Sequence, residues 1–239
     1  MKKCLSGAML KWIAMLSMLI DHFTAVFFEA SVYNGPLIFS YNTYVFLRGV
    51  GRLAFPIYCF LLVEGFLHTR SVKNYLLRLL LFGIVSEVPF DLALWNGPCV
   101  WTYQNVYFTL FLGLLAITLW EKVTGGDWKN CGMGRILLGL LFLASAAALA
   151  WAGRTDYGAW GVLVIAALFL FRKNALLRLA ATESLLGAAS ALELVSVVDF
   201  ALFHLYNGER GRQPKYLFYI FYPAHLLLLY LAAKAVYGI

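Results

Sequence analysis

Charge is scarce in this chain. Of its 239 residues only 13% are Asp, Glu, Lys or Arg, while 62% are hydrophobic, and the mean hydropathy is +0.78. A soluble domain carries about 25% charged residues, so this much apolar surface excludes a single water-soluble core. Cysteine is also sparse. Cys4, Cys59, Cys99 and Cys131 form no Cys-x-x-Cys and no zinc spacing, which excludes a thiol-redox motif and a zinc site of that kind. No disulfide and no metal is expected. There is no internal repeat and no low-complexity run. Nothing separates a second domain, so residues 1–239 read as one transmembrane domain. The net charge of +7 points to loops facing the cytoplasm, where Lys and Arg accumulate, and away from nucleic acid.

Long apolar runs are present instead. A membrane span needs roughly 20 mostly apolar residues. The candidates are residues 10–28, 45–68, 75–95, 106–120, 135–152, 157–171, 184–206 and 216–236. The expected fold is therefore all-α, a polytopic bundle of about eight transmembrane helices in a lipid bilayer. The stretch 175–190 reads equally as a surface helix or a short ninth span. The first run follows Met-Lys-Lys but has no Ala-x-Ala site, so it is expected to be retained and not cleaved as a signal peptide.

Loop cations set the orientation. Lys2, Lys3 and Lys11 precede the first span; Arg70 and Lys73 follow the second. Lys122, Lys129 and Arg135 follow the fourth, and Arg172, Lys173 and Arg178 the sixth. Loops 29–44 and 96–104 have neither Lys nor Arg, and loop 153–156 has only Arg154. Both termini are then expected in the cytoplasm. Loop 207–215, with Arg210, Arg212 and Lys215, breaks this pattern and hints at an anionic partner there.

Ionisable residues inside spans are costly, on the order of 3 kcal/mol each, and mark function by default. The first span, KWIAMLSMLIDHFTAVFF, carries Asp21 and His22 after a run whose one polar side chain is Ser17. Lys11 and His22 share nearly one helix face, roughly 16 Å apart in height. Arg48 and Arg52 open the second span, four apart on one face. Glu87 and Asp91, also four apart, flank Pro89 in the third. Asp156 and Tyr157 begin the sixth span, and Tyr222 and His225 stand three apart in YIFYPAH of the last. With the expected topology these residues fall in one outer layer, where groups avoiding lipid should face one another. Adjacent helical residues point about 100° apart, so Asp21 is expected to pair with an arginine of the second span, and a carboxylate from another helix to orient His22. Plainer readings stay open: Lys11 as an interfacial anchor, a structural ion pair of Arg52 with Glu87 or Asp91, and an aromatic belt around His225. His68 and His204 read as span-end histidines. Glu64, Arg70, Lys73 and Arg78 form a cytoplasmic cluster suited to lipid headgroups or to a phosphorylated donor.

RGVGRLAFPIYCFLLVEGFLHTR, YLLRLLLFGIVSEVPFDLALWNG, QNVYFTLFLGLL, DYGAWGVL, YNGERG and YLFYIFYPAHLLLLYL, with the first span, occur in this order over nearly the whole chain. Together they resemble the TraX family, which is associated with N-terminal acetylation of conjugative pilin. More distantly the chain is similar to integral membrane acyltransferases of the acyltransferase-3 type. Those carry an arginine, ten intervening residues and then a catalytic histidine, and an Arg-x-x-x-Arg pair. Lys11 stands in for the first arginine, a point charge in place of a bidentate fork; His22, Arg48 and Arg52 match the rest.

The resemblance implies acyl-CoA-dependent transfer, with acetyl-CoA as donor, in a bacterial cytoplasmic membrane. His22 is then the base or transient acyl carrier, with Asp21, Arg48, Arg52, Glu87 and Asp91 around it. Lys11, Arg70, Lys73 and Arg78 would receive the donor; Asp156, Tyr157, Tyr222 and His225 would face the acceptor, a pilin-like protein, a peptide or a small molecule. The competing functions are a proton-coupled transporter, which usually shows repeated halves, and a non-catalytic pilus or envelope assembly factor.

Overall fold

The computed structural model describes residues 3–126, 130–214 and 216–238. Of the cations used to orient the chain, Lys2, Lys129 and Lys215 lie outside them. The described residues are helical, with no strand beyond two isolated bridges. The helices are α1 (Gly7–Asn34), α2 (Tyr41–Gly51), α3 (Ala54–His68), α4 (Val72–Trp95), α5 (Val106–Thr124), α6 (Met133–Ala152), α7 (Gly158–Leu170), α8 (Ala175–Ala189), α9 (Asp199–Leu205) and α10 (Leu217–Tyr237). Among the described residues, five stretches are long and apolar enough to cross a membrane: α1, Tyr41–His68, α5, α6 and α10; α7 is shorter. The all-α membrane class expected from hydropathy is the class observed. The residues fall into two compact units, each assembled from separate stretches of chain.

The first unit comprises Met1–Tyr58, Val85–Val100 and Leu192–Ile239. Here α1 packs on α2 and on α10. Ser6 caps α1, its hydroxyl accepting from Met9 N–H. The expected second span is broken. Arg52 caps α2, its N–H donating to the carbonyls of Arg48 and Gly49, and Pro56 has no N–H to continue the ladder into α3. At the break the Val50 carbonyl keeps a tighter bond from Leu53 N–H at 3.4 Å, and the carbonyls of Val50 and Gly51 have room for a donor from outside the helix. Ser17 of α1 satisfies both, its Oγ donating at 2.8 and 3.1 Å. Gly51 is required by this approach: a Cβ there would collide with the Asp21 side chain.

Two expectations change in this unit. The run 184–206 is no single span. After α8, residues Ala191–Val198 form a 3-10 turn and then α9. Leu192 and Val195 lie against Gly49, halfway along α1. The chain then returns to the start of α1, where the Leu205 carbonyl accepts from Cys4 and Leu5 N–H, both at 3.0 Å. Loop 207–213 continues along that end, with Gly7 and Ala8 N–H donating to the carbonyls of Glu209 and Arg210 at 2.8 and 2.9 Å. The basic loop thus lies on the side of Lys3 and Lys11, and it obeys the positive-inside rule it had seemed to break.

The second change follows from the first. Helix α10 runs parallel to α1: Phe218 meets Trp12, His225 meets His22, and Tyr237 meets Phe27 and Gly35. Gly7 and Tyr237 therefore lie at opposite ends of α1, whereas the expected topology brought both ends of the chain to one side. Hydropathy had read residues 184–206 as one continuous span, whereas a 3-10 turn interrupts them ahead of α10.

The second unit comprises Cys59–Ile84 and Trp101–Ala191. Helices α5, α6 and α7 pack on one another, and α8 packs on α7. Gly139 lies under Trp120 and Gly113 under Ile165, each where a Cβ would clash. The starts of α5 and α7 are stitched together: Gln104 N–H donates to the Arg154 carbonyl at 3.0 Å, and Asp156 N–H to the Gln104 carbonyl at 2.8 Å. Asn105 caps α5 and donates to the Gly83 carbonyl at 2.8 Å.

Candidate active site

Asp21 and His22 of α1 face α2 and α10, and Glu193 of the 3-10 turn closes on Arg52 beside them. His22 and His225 are both buried. Their rings stack at 4.9 Å and 13°, with His22 Nδ1 2.6 Å from His225 Nε2. His225 Nδ1 lies 2.7 Å from the Phe221 carbonyl. A carbonyl only accepts, so His225 Nδ1 carries the hydrogen. In the neutral ring Nε2 is then an acceptor, and His22 Nδ1 must be the donor. That fixes the His22 tautomer and leaves its Nε2 with a lone pair. Tyr222 stands edge-on to both imidazoles at 5.8 Å. The expected carboxylate partner of His22 is thus a second histidine, four residues past the Phe221 carbonyl that orients it.

Beside the histidines is an ion cluster. Asp21 takes Arg48 Nη1 at 2.6 Å on one oxygen and Arg52 Nη2 at 2.9 and 3.0 Å across both. Arg48 also reaches the Asp21 carbonyl. Arg52 Nη1 donates to Glu193 Oε1 at 3.0 Å. Two guanidiniums are matched by two carboxylates, so the cluster is neutral as a whole and is tolerable in a membrane interior. The pairing of Asp21 with the arginines was expected from helix geometry. Glu193 was not singled out, because it lay in a run read as one more apolar span. Acid in that run was the available signal.

The other candidates divide by location. Asp91 is buried, and its Oδ2 accepts from Val100 N–H at 2.7 Å, which closes the loop after α4. Glu87 lies half-buried one turn earlier in the same unit. Lys11 is not at the histidines; its Nζ donates to Gln213 Oε1 at 2.9 Å and faces the Phe218 ring at 5.2 Å. Asp156, Tyr157, Arg70, Lys73 and Arg78 belong to the second unit. There Asp156 Oδ1 accepts from the Tyr103 hydroxyl at 3.2 Å, and its carbonyl accepts from Thr109. Tyr157 has φ of 62° and caps α7. Arg78 lies over the Tyr75 ring at 5.7 Å, whereas Arg70 and Lys73 are exposed.

These features define a helical membrane protein with a buried, oriented imidazole beside charge-compensated arginines. The chain belongs to the TraX family: the family model, described as TraX protein, matches residues 6–233. It is 31% identical to the probable fimbrial assembly protein FimC, serogroup H1, of Dichelobacter nodosus, over 94% of this chain and 94% of that relative. No solved structure matches the chain.

Proposed function

We propose that this TraX-family protein is an acyltransferase of the bacterial cytoplasmic membrane. It moves an acetyl group from acetyl-CoA to an amine or hydroxyl of a membrane-associated or exported acceptor. The observation that carries the reading is the His22–His225 pair. Its hydrogen-bond chain leaves a bare Nε2 on a buried imidazole, the atom a general base needs. In the step envisaged, the acceptor nitrogen or oxygen attacks the thioester carbonyl and its proton passes to His22 Nε2. The C–S bond breaks, and the proton leaves with the CoA thiolate. His225 Nε2 stabilises the imidazolium through the Nδ1–H bond. Arg48 and Arg52, held in place by Asp21 and Glu193, would lend guanidinium N–H dipoles to the developing oxyanion.

The relative's description as a fimbrial assembly protein favours a pilus component as acceptor. The same description is the ground for a second reading, in which the protein assists assembly without chemistry. Purified protein incubated with radiolabelled acetyl-CoA and host envelope fractions separates the two. Label moving into an envelope component supports transfer; CoA release and labelling no faster than in protein-free controls would leave the assembly role.

A further inference from the structure

Basic side chains gather at the N-terminal end of α1 with a single acid among them. Lys3, Lys11, Arg210 and Arg212 lie on segments 3–11 and 205–213, which backbone bonds hold side by side, and Glu209 is the one carboxylate there. Glu209 is turned back on its own loop, where Asn207 Nδ2 donates to its Oε2 at 3.3 Å. The loop is firmly shaped. Asn207 Oδ1 accepts from Glu209 N–H at 2.9 Å, and Gly208 and Gly211 have φ of 80° and 71°. A Cβ on Gly211 would strike Ser6.

Among the described residues no carboxylate pairs with Lys11, Arg210 or Arg212. Among the described residues half-buried Lys11 meets an amide oxygen and an aromatic face, so its ammonium keeps donors for a ligand. Four cations against one carboxylate give this collar a positive surplus. The Arg48–Arg52 cluster, neutral against Asp21 and Glu193, has none. A multiply charged phosphoester therefore gains most at the collar.

We propose that the collar of Lys11, Arg210 and Arg212 binds a phosphate-bearing ligand, and that this is the phosphoester end of the acyl donor. Lys11 and His22 are roughly 16 Å apart along α1. The pantetheine arm of CoA has about the chain length of four extended residues, roughly 14 Å. A donor anchored at the collar thus places its thioester at the depth of His22. The identity of the ligand rests on the acyltransferase reading; the anion site does not.

Calorimetric titration of the full-length protein in zwitterionic detergent with CoA tests this without turnover. The double variant Arg210→Gln/Arg212→Gln keeps the backbone carbonyls that bind α1, so it should fold. We expect it to bind CoA at least 10-fold more weakly than wild type, with Arg154→Gln unchanged. A folded double variant with wild-type CoA affinity overturns the proposal, as does wild-type protein that binds no CoA. Native mass spectrometry from nanodiscs of phosphatidylcholine with phosphatidylglycerol reads the other phosphate source. A double variant that loses phosphatidylglycerol but keeps CoA would make the collar a lipid-headgroup site and refute the donor assignment. Weakened CoA binding in the variant, together with no acetyl transfer by wild type, would sink the enzymatic reading and leave the site standing.

Discussion

Replacing His225 by alanine removes the one side chain bonded to His22 Nδ1, at 2.6 Å. In the proposed step His22 becomes an imidazolium, so this bond is charge-assisted in the transition state. Hydrogen bonds to charged groups contribute about 1.5–3 kcal/mol. At about 1.36 kcal/mol per factor of ten, His225→Ala should lower kcat by roughly 10- to 150-fold. The donor's KM should move little, because the collar is untouched. His225→Gln, which offers His22 an amide oxygen, should recover part of the loss; His225→Phe, which keeps ring volume and offers no acceptor, should not. The assay is steady-state acetyl transfer by variants that purify as wild type does. Equal rates for His225→Phe, His225→Ala and wild type would show that the stacked pair does nothing for the base.

Three further outcomes follow from the geometry. Asp21→Asn leaves Arg48 and Arg52 with Glu193 as their matching acid and should cost on the order of 3 kcal/mol, read as an earlier thermal unfolding in detergent; an unchanged midpoint would mean that the arginines find another anion. Gly51→Val drives side-chain atoms into the Asp21 carboxyl and should destabilise by about 1–3 kcal/mol, with loss of activity; a variant of normal stability would contradict the close approach of α1 and α2. In intact cells, Cys4 and Cys99, both exposed, should label from opposite sides of the membrane, and a reporter fused after Tyr237 should be active on the side opposite one fused before Ser6. Both reporters active on one side would rule out the parallel pairing of α1 and α10.

Much of this site could be read from the sequence, for a physical reason. In an apolar chain each ionisable residue is conspicuous, and spacing of four along a helix puts Arg48 and Arg52 on one face, both within reach of Asp21. What hydropathy could not show was direction. It counts apolar residues without noticing that Ser190 and a 3-10 turn interrupt residues 184–206, so it made one crossing from a segment that returns to the start of α1. The parity of every later element changed with it, and so did the side of the basic loop 207–213. The expected outer layer already held His225 together with His22, but depth alone does not choose which group of that layer meets the ring, and a carboxylate was expected where His225 stands. Glu193 shows the same limit, since a carboxylate in an apolar run has no sequence-visible partner 141 positions away.

The central claim is that His22 Nε2 is the base for acetyl transfer. Single-turnover transfer from acetyl-CoA by wild type and by His22→Ala, in matched nanodiscs, tests it most directly. The account predicts a fall of roughly 100-fold or more, the scale of a lost general base, with CoA binding retained in a variant that still folds but, having lost a buried hydrogen-bonded ring, unfolds somewhat earlier. A folded His22→Ala protein that transfers acetyl groups at the wild-type rate would contradict it.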